Sequence, residues 1–222
     1  MAYRRTENVA RRLAARRAAI LTAAGAAAAE GGMAAVQIAL VAERAGIAAG
    51  TVYRYFPSKA ELVAALVAAL CEREIAAIER AAKAAPGPLS ALAAAITTFA
   101  ARALAGPRLA FALIAEPVEP DLDLARTAYR CALAAQFERL VRNAVEGGHL
   151  PEQDVALAAA TLAGALGAGV VGALAPVAPA DPAATRARVQ ALALFALRGL
   201  GVVDARARGL VVQAALPEQG ER

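Results

Sequence analysis

The sequence predicts an all-α fold, and three observations carry that expectation. Of its 222 residues 68 are alanine, a strong helix former, against two serines and no tryptophan. Its eleven prolines and seventeen glycines fall mostly in clusters between Ala/Leu/Val-rich stretches. No β-branched or aromatic run alternates with period two, so strands are not expected. With 59% hydrophobic and 19% charged residues the composition excludes a disordered chain, and 22.5 kDa suffices for one large or two small domains with a core.

A first helix over residues 8–30 would place Leu13, Ile20, Leu21, Ala24 and Ala28 on one side, stopped by Gly31-Gly32. Two short helices follow over 37–44 and 48–55, split at Ala45-Gly46. Ser58 and Glu61 have the S-x-x-E spacing of a capping box, which opens a longer helix ending near Ala85. Within it Val63, Val67, Cys71, Ile75 and Ile78 form a helical stripe, with Leu62, Leu66 and Leu70 beside it. Breaks at Gly106-Pro107, at the acidic 116–121 loop, at Gly147-Gly148-His149-Leu150-Pro151 and at 176–182 divide the remainder. In the segment 122–146, Tyr129, Leu133, Phe137, Val141 and Val145 share a face. The expectation is about nine helices: three basic ones in a domain over 1–57, then six in an apolar bundle over 58–222.

Charge is distributed unevenly. Residues 1–59 hold nine basic side chains (Arg4, Arg5, Arg11, Arg12, Arg16, Arg17, Arg44, Arg54 and Lys59) against Glu7, Glu30 and Glu43. The rest of the chain is nearly balanced, so the excess of +5 resides in the first quarter, where a polyanion would be met. Cys71 and Cys131 lie 60 residues apart in apolar helical patterns, more like core residues than a disulfide or metal framework. Nothing near the N-terminus reads as a secretory h-region, and a reducing cytoplasm is the expected compartment, with no cofactor.

The informative stretch is residues 42–63. Two short helices separated by a turn containing Gly46 make a helix-turn-helix, whose second helix is small enough to enter a major groove. In that helix Val52 and Phe56, spaced i, i+4, would pack inward on Leu40, Val41 and Ile47. The other side carries Ala49, Gly50, Thr51, Tyr53, Arg54 and Tyr55: small residues that permit close approach, with hydroxyls and a guanidinium as donors to phosphates and base edges. Lys59 opens the next helix, where its charge and the free backbone N–H groups favour an anion.

These residues resemble the tetracycline-repressor (TetR) family of bacterial transcriptional regulators. The family pattern I-A-x-x-A-G-V-S-x-G-T-[LV]-Y-x-[HY]-F-x-x-K-x-x-L is met by Val41-Ala42, Ala45-Gly46-Ile47, Gly50-Thr51-Val52-Tyr53, Tyr55-Phe56, Lys59 and Leu62. The resemblance covers about residues 13–70. It implies a homodimer in which three N-terminal helices bind a double-stranded DNA operator and a helical body holds a small-molecule effector and the subunit contact. On that basis Gln37, Ala48, Gly50, Thr51, Tyr53, Tyr55 and Lys59 would touch DNA, while Ala49 and Arg54 would occupy sequence-discriminating positions. Two positions depart from the pattern: Ala48 stands where a capping serine is usual, and Val36-Gln37 where a Thr or Ser opens the preceding helix. A lost N-cap hydroxyl costs on the order of 1 kcal/mol.

The same resemblance places a dimer seam in the last two long helices, with Leu162, Leu166, Val170 and Leu174 facing Val189, Leu192, Ala193, Ala196 and Leu200. Ala160, Gly164, Ala168 and Gly172 form a small-residue row that would admit a neighbouring helix. For the effector, Phe99, Arg102, Phe111, Glu116, Tyr129 and Phe137 could enclose a mostly apolar cavity. Two other readings stay open on sequence alone. Residues 155–180 carry no charge and could span a bilayer by length. Residues 167–172 match G-x-G-x-x-G, although a dinucleotide site needs a preceding strand and a following acid. The single histidine, His149, lies in a turn, and no catalytic motif is present, so an enzyme is not expected.

Overall fold

The computed structural model describes residues 2–116, 120–174 and 181–214. Among these residues it is wholly helical: α1 (Ala2–Gly31), a 3-10 turn (Met33–Ala35), α2 (Ile38–Arg44), α3 (Ala49–Tyr55), α4 (Lys59–Ala84), α5 (Pro88–Ala105), α6 (Pro107–Ile114), α7 (Pro120–Glu146), α8 (Val155–Leu174), α9 (Pro182–Gly199) and α10 (Asp204–Gln213). The expected elements are present, with one more helix than the nine counted. The final segment divides where Gly201 N–H donates to the Arg198 carbonyl (2.9 Å) and Val202 N–H to that of Leu197 (3.0 Å). This closure ends α9 without the proline that marks most other breaks in the chain.

Two apolar cores organise the molecule. The first joins Ile20, Ala24 and Ala28 of α1, Val41 of α2, Val52 of α3 and Phe56 to Leu62, Val63, Leu66, Val67, Leu70 and Cys71 along the first half of α4. Ala112 and Leu113 of α6 and Tyr129 of α7 complete it, so this core crosses the boundary expected near residue 57. The second has α5 at its centre, packed against α4, α7, α8, α9 and α10, with Leu92, Ile96, Phe137, Val141, Leu166, Val170 and Leu197 all but closed to solvent. The stripes read on α4 and α7 point into these cores, since residues four apart lie one above the other on a helix face.

Leu13 departs from expectation. It is half exposed, as is Val9, and α1 begins to be covered only at Ile20. The stretch 7–19 therefore projects as an arginine-rich helix beyond the core it is anchored to.

Phe137→Ala is expected to lower the unfolding free energy by about 3–5 kcal/mol, because its cavity opens in the centre of the second core. Leu13→Ala should change it by less than about 0.5 kcal/mol. Denaturant unfolding of the two variants checks the contrast.

Candidate nucleic-acid interface

The turn between α2 and α3 is set by Gly46, whose φ of 64° lies in the left-handed region that glycine adopts without cost. Its N–H donates to the Glu43 carbonyl (3.1 Å) and the N–H of Ile47 to that of Ala42 (3.0 Å), so α2 is closed and the chain is redirected within three residues. Val41, Val52 and Phe56 are buried and Ile47 packs against them, which lays α3 across α2. The first residue of α3 follows Ala48, at φ −71° and ψ 146°; no side chain caps this helix, and the Ala48 carbonyl accepts from Thr51 N–H at 2.8 Å.

The outer side of α3 is open. Ala49, Gly50, Tyr53 and Arg54 are exposed, and Thr51 and Tyr55 are partly so. Tyr53, 51% exposed, has little packing role within the chain. Lys59 is exposed at the first position of α4, beside the cap in which the Ser58 hydroxyl oxygen accepts from Glu61 N–H at 3.1 Å. The Glu61 carboxylate turns to that hydroxyl (3.4 Å) rather than reaching back to backbone, so the capping box is closed on one side. Among the described residues no ion pair involves Arg54 or Lys59, which leaves both charges available to a phosphate.

Not every early cation serves that surface. Arg44 forms a two-pronged pair with Glu30 (2.9 and 2.6 Å), tying α2 to the end of α1. These bonds hold the Glu30 carboxyl below its ordinary range, and the Glu30 carboxylate in turn raises Arg44. The Arg17 guanidinium lies 5.1 Å from the centroid of the Phe56 ring. Arg11 donates to the Asn8 side chain, and Arg12 and Arg16 are exposed along the projecting part of α1. The side chains of Arg4 and Arg5 lie outside the described residues. Gln37 is exposed just before α2, its amide nitrogen donating to the Ala34 carbonyl at 2.8 Å.

The six residues expected around an effector separate. Phe99 and Phe137 are buried in the second core and Phe111 packs on it. Arg102 holds Glu74 of α4 through two bonds (2.6 and 2.8 Å), and both are mostly covered. Tyr129 is buried within electrostatic reach of Arg102, Glu74 and Cys71. Burial pushes its phenol well up, and pushes the Cys71 thiol up to about 12. Glu116 turns away from this group to accept from Met33 N–H at 3.0 Å. Arg102 and Tyr129 are thus brought together with Glu74 and Cys71, two neighbours that their positions on a different helix hid from sequence reading.

The expected seam requires a correction. Leu162, Leu166, Val170, Val189, Ala193, Ala196 and Leu200 are buried inside this chain, Leu192 is partly buried, and the side chain of Leu174 lies outside the described residues. A Cβ at Gly169 would stand 2.5 Å from Leu192 Cδ2, so that glycine admits α9 to α8 in the same chain. Residues two apart on a helix point to nearly opposite sides. Once the leucine row turns inward, Leu157, Ala160, Thr161, Gly164 and Ala168 face out, with Phe195 exposed on α9. Gly167 and Gly169 lie inside α8 with no strand before them, which removes the dinucleotide motif. Of the large apolar side chains of residues 155–170, Leu162, Leu166 and Val170 are spent on the core, while Leu157 faces out. Among the described residues α5 is long and apolar enough to cross a membrane, and half of it is buried in the molecule.

With this geometry in view, residues 20–66 match the family described as bacterial regulatory proteins, tetR family. Over 77 residues the chain is 48% identical to the transcriptional repressor KstR of Mycolicibacterium smegmatis, a match that spans 35% of this chain and 38% of that protein's length. Among solved structures, RolR in complex with resorcinol matches with a TM-score of 0.65 and 25% identity, over 94% of this chain and 98% of that one. The regulator FadR of Bacillus subtilis in complex with stearoyl-CoA matches with a TM-score of 0.66 and 21% identity, over 78% of this chain and 96% of that one. Over residues 20–66 the chain thus carries a module of the tetR family of bacterial regulatory proteins, and its helical body shares the fold of RolR and FadR.

Ala48→Ser should supply the missing cap and raise stability by about 1 kcal/mol, read as a higher denaturation midpoint. Thiol titration of the native protein near pH 8 should find Cys131, which is exposed, reactive and Cys71 protected.

Proposed function

We propose that this chain is an effector-responsive transcriptional repressor of the cytoplasm that binds a palindromic operator as a homodimer and performs no catalysis. The observation that carries the reading is the unpartnered outer side of α3, with Tyr53, Arg54 and, one turn on, Lys59 exposed on a module whose inward residues are fully used in packing. Thr51, Tyr53, Tyr55, Gln37 and Lys59 would position the module on phosphates. Ala49 and Arg54, with Gly50 giving clearance, would meet base edges. Arg12 and Arg16 extend the same positive surface along α1 and offset the uncapped start of α3 through salt-sensitive contacts.

Two modules must face adjacent major grooves to read an inverted repeat, and the exposed small-residue side of α8 with Phe195 of α9 is the surface best suited to join them. Ala160, Gly164 and Ala168 let a partner helix come close, and Leu157 and Phe195 are 64% and 67% exposed, costly for an unpaired chain. For the effector, the partly buried Arg102–Glu74 pair beside Tyr129, between α4, α5 and α7, is the polar group around which an apolar ligand site would form. RolR and FadR, which share this fold, were each solved with a small organic molecule bound, which supports a ligand-responsive body here. A ligand that prefers dimers whose α3 helices no longer match the half-site spacing weakens operator binding by its differential affinity.

Selection from random duplex DNA should return an inverted repeat. Tyr53→Ala and Lys59→Ala should weaken binding to selected and random duplexes alike, with the loss of the lysine charge alone lowering the salt slope by about one, whereas changes at Arg54 or Ala49 should alter the selected sequence. Gly164→Arg should convert the dimer to monomer in analytical ultracentrifugation while leaving the helical content unchanged.

A further inference from the structure

One body side chain reaches into the joint between α1 and α2. Met33, at the head of the 3-10 turn, donates its backbone N–H to Glu116 Oε2 at 3.0 Å, across 83 residues of sequence. Gly32 makes room for it: φ there is 73°, and a Cβ would stand 2.7 and 2.9 Å from the two carboxylate oxygens. The carboxylate thus occupies the space of an absent side chain, and it satisfies a backbone donor that no helix serves.

Glu116 is itself held. Arg126 of α7 donates to the backbone carbonyls of Glu116 and Ala112, at the end of α6 where exposed carbonyls favour a cation. Arg126 is buried, 7% exposed, so this clamp lies in the interior. Helix α6 packs on α1, and Ala112, Leu113 and Tyr129 belong to the core shared with the helix-turn-helix. A continuous path therefore runs from α7 through Arg126 and the end of α6 to the joint ahead of α2. Tyr129, beside Arg102 and Glu74, is three residues along α7 from Arg126.

We infer that Glu116 is a positioning residue: its carboxylate, carried on a backbone that Arg126 anchors, fixes the angle of α2 and α3 against the body, and through it the spacing of the two modules in a dimer. This rests on the DNA-binding reading above. The bond needs an acceptor oxygen rather than a charge, so glutamine at 116 retains it and alanine does not.

The test uses the full chain with Glu116→Ala and Glu116→Gln. Hydrogen exchange at the Met33 amide should be about tenfold faster in the alanine variant and close to the parent in the glutamine variant. The ratio of affinities for the selected inverted repeat and for the same half-sites moved two base pairs apart should fall about fivefold in the alanine variant. It should hold in the glutamine variant, with random-duplex binding unchanged in both. Unaltered Met33 exchange in Glu116→Ala, or equal acceleration in Glu116→Gln, overturns the contact's role. Faster exchange with an unchanged spacing ratio overturns positioning while the regulator reading stands. If the parent chain retains no duplex at low salt, the regulator reading fails and positioning falls with it.

Discussion

Val52 and Phe56 have nowhere to go but inward, and that constraint governs the rest of the molecule. A seven-residue helix is too short to persist alone in water. Helix α3 is held by burying those two side chains, each worth about 1.5–3 kcal/mol, against α2 and the α1 and α4 residues of the first core. Because the inner side is committed, the outer side is free of structural duties. Tyr53 and Arg54 there stay exposed without endangering the fold, while Tyr55 packs in part on the first core.

The same burial binds the helix-turn-helix to the body. Helix α4 contributes Leu62, Val63, Leu66, Val67 and Leu70 to the first core, then Ile78 and Ala82 to the second. A displacement of the bundle around α5 therefore reaches the helix-turn-helix through a stiff 26-residue rod. Helix α6 adds a second connection by packing on α1. Two attachments at different points fix an orientation where one would leave a pivot.

Charge is divided by the same logic. Arg44 and Arg17 are consumed in holding the module together, one on Glu30 and one on the Phe56 ring, while Arg54 and Lys59 face outward. A count of basic residues thus overstates the phosphate-binding charge. What matters is which cations lack an internal partner, and that depends on residues distant in sequence.

The helices and the exposed side of α3 were legible in the sequence because they follow from local rules. Alanine-rich runs form helices, glycine and proline end them, and i, i+4 spacing assigns Val52 and Phe56 to one side and Tyr53 and Arg54 to another. The break between α9 and α10 was hidden because glycine-mediated closure carries a weaker signal than proline. The leucine row of α8 and its small-residue row are both periodic, and periodicity gives two opposite sides without saying which one meets its own chain. Only the packing of α5, α7 and α9 decided that the leucines point inward and that Gly164 and Phe195 face out. Tertiary structure alone also brought Glu116 to Met33 and Arg102 to Glu74, since bonds between residues dozens of positions apart have no periodicity to betray them.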